Sequence, residues 1–205
     1  MVHNNRNAKS EKRLLSGRPM LSQVLPTHDG DPVAEGASRL LSCYSPMTTP
    51  PPNPPPAVDV LLAAAQQRAA TRDLPYFGAL TPSEAHALLN QMSEAKLVDV
   101  RTRPEWEYVG RVPESVLVEW NLYPDGARNP GFLTQLQLAA PQPDAPVLFL
   151  CRSGVRSDHA ARAARAAGYT RAMNILQGFE GDKDDAGQRG ALGGWRKARL
   201  PWIQG

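Results

Sequence analysis

Cysteine is scarce: the 205 residues hold two, Cys43 and Cys151. A single pair so far apart is no disulfide framework, and the cytosol would keep both thiols reduced. With four scattered histidines the cysteines give no zinc-ligand spacing, so neither a metal nor a cofactor is expected. Aromatic residues are few, at 6%. Charge of one sign is lacking too. The 23 basic and 20 acidic residues leave a net charge of +3, too weak to argue for a nucleic-acid partner. No stretch approaches the roughly 20 apolar residues of a membrane helix, so no membrane partner is expected. Met1 to Arg13 are polar and basic with no apolar run behind them, which speaks against a secretory signal and for the cytoplasm. What remains is enough chain for one domain with a real core plus a tail.

Proline, by contrast, is concentrated. Residues 1–45 show no sustained periodicity and read as disordered. Seven of the eleven residues from Pro46 to Pro56 are proline. This run reads as a stiff spacer, since proline fixes φ and removes the N–H; a ligand for a proline-recognising module is the other reading. Met47 is an alternative starting residue, a point that the mass of the native N-terminus would decide. The boundaries expected are therefore a disordered tail with its linker over 1–56 and one domain over 57–205.

Periodicity organises the rest. Val58, Leu61, Leu62, Ala65 and Ala69 predict an amphipathic helix over about 57–72, docked on a core of 75–205. Thr81-Pro82-Ser83-Glu84 is a helix start: Thr81 caps, Pro82 occupies the first turn and Glu84 completes a capping box. Lys96–Val100, Val116–Trp120, Val147–Leu150 and Ala172–Ile175 read as strands. Helices are predicted at Pro104–Tyr108, Pro130–Leu138 and Ser157–Ala167, the last ending at Gly168 as C-cap. Strands alternating with helices imply a parallel sheet covered on both faces, with ligands at the carboxyl ends of its strands. Cys151, Asp99 and Arg101 all lie at such ends; whether they converge depends on strand order.

One six-residue run carries the chemistry: Cys151-Arg152-Ser153-Gly154-Val155-Arg156. It lies between a strand and a helix, where backbone N–H groups and a helix N-terminus converge on the thiol and favour a thiolate. Gly154 permits positive φ. Ser153 and Ser157 offer hydroxyl donors, and Arg152 and Arg156 add positive field at the mouth. A buried, inert cysteine would need none of these. Cysteine phosphatases place five residues between Cys and Arg, enough for a tetrahedral phosphate. Here four intervene, and Leu150 rather than His precedes the nucleophile. A smaller ring suits a single sulfur atom.

The segment Cys-Arg-Ser-Gly-Val-Arg-Ser resembles the active-site loop of rhodanese-like sulfurtransferases. Leu97-Val98-Asp99-Val100-Arg101 with Glu105-Trp106-Glu107, Gly110-Arg111-Val112-Pro113-Glu114-Ser115, and Gly193-Gly194-Trp195 with Leu200-Pro201 are similar to other segments of that family, in its order. The resemblance covers about residues 75–205. It implies a rhodanese-like α/β domain with a five-stranded parallel sheet and helices on both faces. It also implies sulfur transfer through a Cys151 persulfide, with a small-molecule donor such as thiosulfate and cyanide, a thiol or a protein as acceptor. Residues 152–157 would bind substrate. Asp99 would accept hydrogen bonds from the loop or nearby backbone, and Arg101 would pair with Glu105 or Glu107; both would be supporting residues. The His and Ala of the family's "GHIPGA" segment are replaced here by Arg111 and Ser115, and its Gly by Glu114. A non-catalytic anion-binding or adaptor module is the alternative; loop length argues against phosphatase or arsenate reductase chemistry. The stretch 178–194 reads as a mobile, solvated loop beside the mouth, His159 as a surface or packing residue, and the four tryptophans as core and rim. Cys43 is expected to be dispensable for turnover.

Overall fold

The computed structural model describes residues 54–205. The expectations for the tail, for Cys43, for Met47 and for most of the proline run fall outside those residues.

Five parallel strands, β1 (Gly78–Leu80), β2 (Lys96–Asp99), β3 (Val116–Leu117), β4 (Val147–Leu150) and β5 (Ala172–Ile175), form one sheet in the order β1-β5-β4-β2-β3. Four helices accompany it: α1 (Val58–Arg72), α2 (Pro82–Gln91), α3 (Phe132–Ala139) and α4 (Val155–Ala166). A π-helical turn spans Glu105–Val109. β4 is a continuous apolar run, and β2 is apolar at Leu97 and Val98, because a central parallel strand is covered on both sides; Leu97 to Asp99 and Val147 to Leu150 are all buried.

Alternation along the strands divides the core in two. Val147, Phe149 and Cys151 face Phe132 and Leu136 of α3 and Ala160, Ala161 and Ala164 of α4. Leu148 and Leu150 face Leu61 and Ala65 of α1, Ala85 and Leu88 of α2, and Trp195. The alanines of α4 bring the helix close to the sheet. Of the predicted inner face of α1, Leu61, Ala65 and Ala69 are buried, whereas Val58 and Leu62 are only partly so.

The capping box of α2 is present: the Glu84 amide donates to Thr81 Oγ1 and Glu84 Oε2 accepts from the Thr81 amide. Arg68 of α1 forks onto the same carboxylate at 2.7 and 2.8 Å and also donates to the Ala79 carbonyl. Glu84 is thereby held below the ordinary glutamate range. Burial alone would raise it; the Arg68 fork and the Thr81 donors outweigh that.

Three expectations need correction. The second predicted strand is only two residues long; Val118 and Trp120 still donate to Asp99 and Val100 carbonyls. β1 was not expected, since Gly-Ala-Leu has no strand signal and exists as a strand through its pairing with β5. Helix α4 starts at Val155, two residues before the predicted Ser157, with Gly154 at φ 104° as its N-cap.

Candidate active site

Strand order answers the question of convergence. β2 and β4 are neighbours with Asp99 opposite Leu150, and the Val100 amide donates to the Leu150 carbonyl at 2.8 Å. Asp99, Arg101 and Cys151 therefore end on one rim. Their side chains divide between the two faces, however. Cys151 belongs to the α3–α4 side, while the Arg101 guanidinium lies 4.1 Å from the ring centre of Phe179 on the other.

Immediately after β4 the chain turns through Cys151-Arg152-Ser153-Gly154 into α4. Gly154 takes a conformation that L side chains rarely adopt, and its amide points back at Cys151 Sγ at 3.1 Å. The Ser157 hydroxyl, fully buried in the first turn of α4, donates to the same sulfur at 3.3 Å. The sulfur thus sits at the N-terminus of a twelve-residue helix with two donors aimed at it. Cys151 is 1% exposed. Arg152 and Val155 are exposed, and Ser153, Gly154 and Arg156 half-buried.

The loop is fastened from behind. Asn174 Nδ2 of β5 donates to the Gly154 carbonyl. Phe179 and Glu180 amides donate to the Cys151 and Arg152 carbonyls at 2.7 and 2.9 Å. Gly178 makes that approach possible: a Cβ there would stand 2.3 Å from the Cys151 carbonyl oxygen.

Arg156 is not free to hold a donor. Its guanidinium forks onto Glu105 at 2.7 and 2.8 Å. Glu105 also accepts from the amide and hydroxyl of Thr102, both at 2.9 Å. Burial would raise its pKa, but these donors and the arginine charge bring it down to about 2. The pair ties α4 to the turn after β2. Of the two loop arginines, only Arg152 is left exposed.

Asp99 and Arg101 are supporting residues, as expected, and Asp99 accepts from nearby backbone, but the partner expected for Arg101 is corrected. Asp99 accepts from the Arg101 amide, Nε and Nη2 rather than from the loop, and Arg101 Nη2 also donates to the Gly110 carbonyl. Arg101 does not pair with Glu105 or Glu107, which are engaged by Arg156 and Arg103. Both Asp99 and Arg101 are fully buried, so their bidentate pairing secures the end of β2 rather than lining a cleft.

The segment 178–194 is only in part the solvated loop expected. Phe179, Gly181, Gly193 and Gly194 are buried, although residues 185–188 are exposed. His159 is exposed and stacks on Trp120, with ring centres 6.3 Å apart. Sequence reasoning missed the contributions of Asn174 and Gly178. A glycine after a strand is the only hint of the second, and a polar residue in the apolar strand Ala172-Met173-Asn174-Ile175 is a hint of the first.

The family model for the rhodanese-like domain matches residues 81–185. An uncharacterised protein of Rickettsia conorii, RC0915, is 36% identical over 126 residues, which is 58% of this chain and 92% of the relative. RP600 of Rickettsia prowazekii, also uncharacterised, is 35% identical over 121 residues with the same coverage. The crystal structure of Rv0390 from M. tuberculosis is 45% identical, covers 63% of this chain and 99% of its own, and superposes with a TM-score of 0.57. With its family model covering strands β2 to β5, the cysteine loop and the helix that follows, the chain belongs to the rhodanese-like domain family.

Proposed function

We propose that this chain is a sulfurtransferase that carries a sulfane sulfur on Cys151. The observation behind this reading is the pair of donors on Cys151 Sγ, the Gly154 amide and the Ser157 hydroxyl, at a helix N-terminus. Such a cradle stabilises a thiolate and any anionic sulfur attached to it. The Cys151 thiolate attacks the outer sulfur of thiosulfate. The S–S bond of the donor breaks, and sulfite leaves with its electron pair. Cyanide or a thiolate acceptor then attacks the terminal sulfur of the persulfide, and Cys151 departs as thiolate. Exposed Arg152 is the loop cation left to attract an anionic donor. Gly154, Ser153 and Val155 shape the turn, Ser157 donates to the sulfur, and Arg156, Asp99 and Arg101 hold the frame.

Intact mass after thiosulfate treatment tests this. Gain of one sulfur atom by the wild type, its release to cyanide as thiocyanate, and neither event in Cys151→Ser are expected. A second reading, a rhodanese-fold module without turnover, is favoured by the 1% exposure of Cys151 and the neutralised Arg156. An unmodified wild-type mass after treatment with thiosulfate and with a glutathione persulfide would select it.

A further inference from the structure

A second basic site lies apart from the Cys151 cradle. After the buried Trp195, the chain makes a tight turn in which the Ala198 amide bonds the Gly194 carbonyl and the Arg199 amide bonds the Arg196 carbonyl. Arg199 is held at φ 56°, a conformation that costs a residue with a Cβ and is kept only where the surroundings enforce it. The turn displays Arg196, Lys197 and Arg199, and Arg189 joins them across a cavity of about 380 Å³ whose only acidic lining residue is Glu180. Arg189 is steadied by the Gly181 carbonyl, and Arg196 lies 4.7 Å from the ring centre of Trp202. Among the described residues, none of these four cations belongs to an ion pair.

One carboxylate, Glu180, faces four cations, and the other nearby acids do not line the cavity. Asp184 accepts from the Ala186 and Gln188 amides of its own loop, and Asp182 lines a different cavity beside Arg72. Four cations around one concavity repel each other unless an anion joins them. Three of them are guanidinium groups, whose paired N–H donors match oxyanions bidentately. The volume is at the small end of ligand cavities and fits a compact molecule better than a folded partner.

We propose that this cavity binds a small, multiply charged oxyanion, phosphoryl or polycarboxylate, at Arg189, Arg196, Lys197 and Arg199. The site is anchored to the segment that backs the cysteine loop: the Arg196 amide donates to the Phe179 carbonyl, and the Glu180 amide donates to the Arg152 carbonyl. Its ligand therefore sits on the chain segment that fastens Cys151, without using the thiol.

Calorimetric titration of the full chain with pyrophosphate and with citrate tests the assignment and tells the two chemistries apart. Saturable binding of at least one, weakening as sodium chloride is raised, is expected. The R196S/K197S double variant should bind at least tenfold more weakly. Arg199→Gly, which removes a charge while relieving the backbone, should bind several-fold more weakly with its urea midpoint retained. Cys151→Ser should bind as the wild type does, so the site survives even if no sulfur is ever transferred. The proposal is overturned if neither anion binds, if both charge variants bind like the wild type, if binding disappears with Arg152→Ser alone, or if only an acidic peptide saturates the site.

Discussion

Replacement of Gly178 by alanine is the most direct test of how the cysteine loop is held. A Cβ at this position would lie 2.3 Å from the Cys151 carbonyl oxygen, 2.6 Å from the Arg152 carbonyl carbon and 2.7 Å from its oxygen, all of it backbone. No side-chain rotation relieves such contacts, so the two segments must separate. Separation loosens the hydrogen bonds from the Phe179 and Glu180 amides to the two loop carbonyls, each contributing about 1 kcal/mol. Alanine at φ 60° adds about 1 kcal/mol of backbone strain. The expected loss is about 3 kcal/mol. Gly187 supplies the control: its φ is 77°, and an added Cβ would meet nothing within 4 Å. Gly187→Ala should therefore cost only the strain, about 1 kcal/mol.

For a domain of this size, stability falls by about 2 kcal/mol per molar urea. Gly178→Ala should lower the midpoint by about 1.5 M and Gly187→Ala by about 0.5 M. Sulfur loading of Cys151 should fall in the first variant and stay at the wild-type level in the second. Equal shifts in the two midpoints would show that the loop does not rest on this close approach, and the account of its support would have to be abandoned.

Three further outcomes follow from the buried polar pairs. Asp99→Ala leaves Arg101 charged and unpaired inside the protein and should cost about 3–5 kcal/mol by urea unfolding; joint replacement of Asp99 and Arg101 by leucine should cost less than that single change. Glu105, whose pKa falls from the ordinary glutamate range to about 2 on folding, contributes stability that is present above its unfolded pKa and lost as pH falls through the folded one. About 2–3 kcal/mol should therefore disappear between about pH 5 and pH 2, and that part of the pH dependence should be missing from Glu105→Gln. Thr81→Ala removes the cap of α2 and one donor to Glu84; a loss of about 1 kcal/mol in thermal or urea unfolding is expected.

Much of the fold was legible because central parallel strands leave an unmistakable trace. Val147-Leu148-Phe149-Leu150 and Leu97-Val98 are apolar without interruption, and only a strand buried on both faces needs that. The capping box at Thr81 was legible for a different reason: its two hydrogen bonds are local and reciprocal, so four residues contain the whole argument. Gly78-Ala79-Leu80 carries no comparable trace. Its three residues are a strand only because β5 lies beside them, a fact that no window of sequence contains.

The same division runs through the site. The sulfur's donors, Gly154 and Ser157, lie within six residues of Cys151 and could be anticipated from the turn. The partner of Arg156 is Glu105, 51 residues away, and finding it required knowing which face of the turn after β2 meets α4. Arrival of Asp99, Arg101 and Cys151 at a common rim is not contact of the first two with the third. Two strands in register deliver alternate residues to opposite faces. Asp99 is opposite Leu150, so it shares that residue's side of the sheet, and Cys151, one position later, takes the other. Had the pairing been known, parity alone would have separated the thiol from the ion pair. It follows that the cysteine's electrostatic surroundings are set chiefly by its own loop and helix, and that changes at Asp99 should reach the chemistry through stability before they reach it through charge.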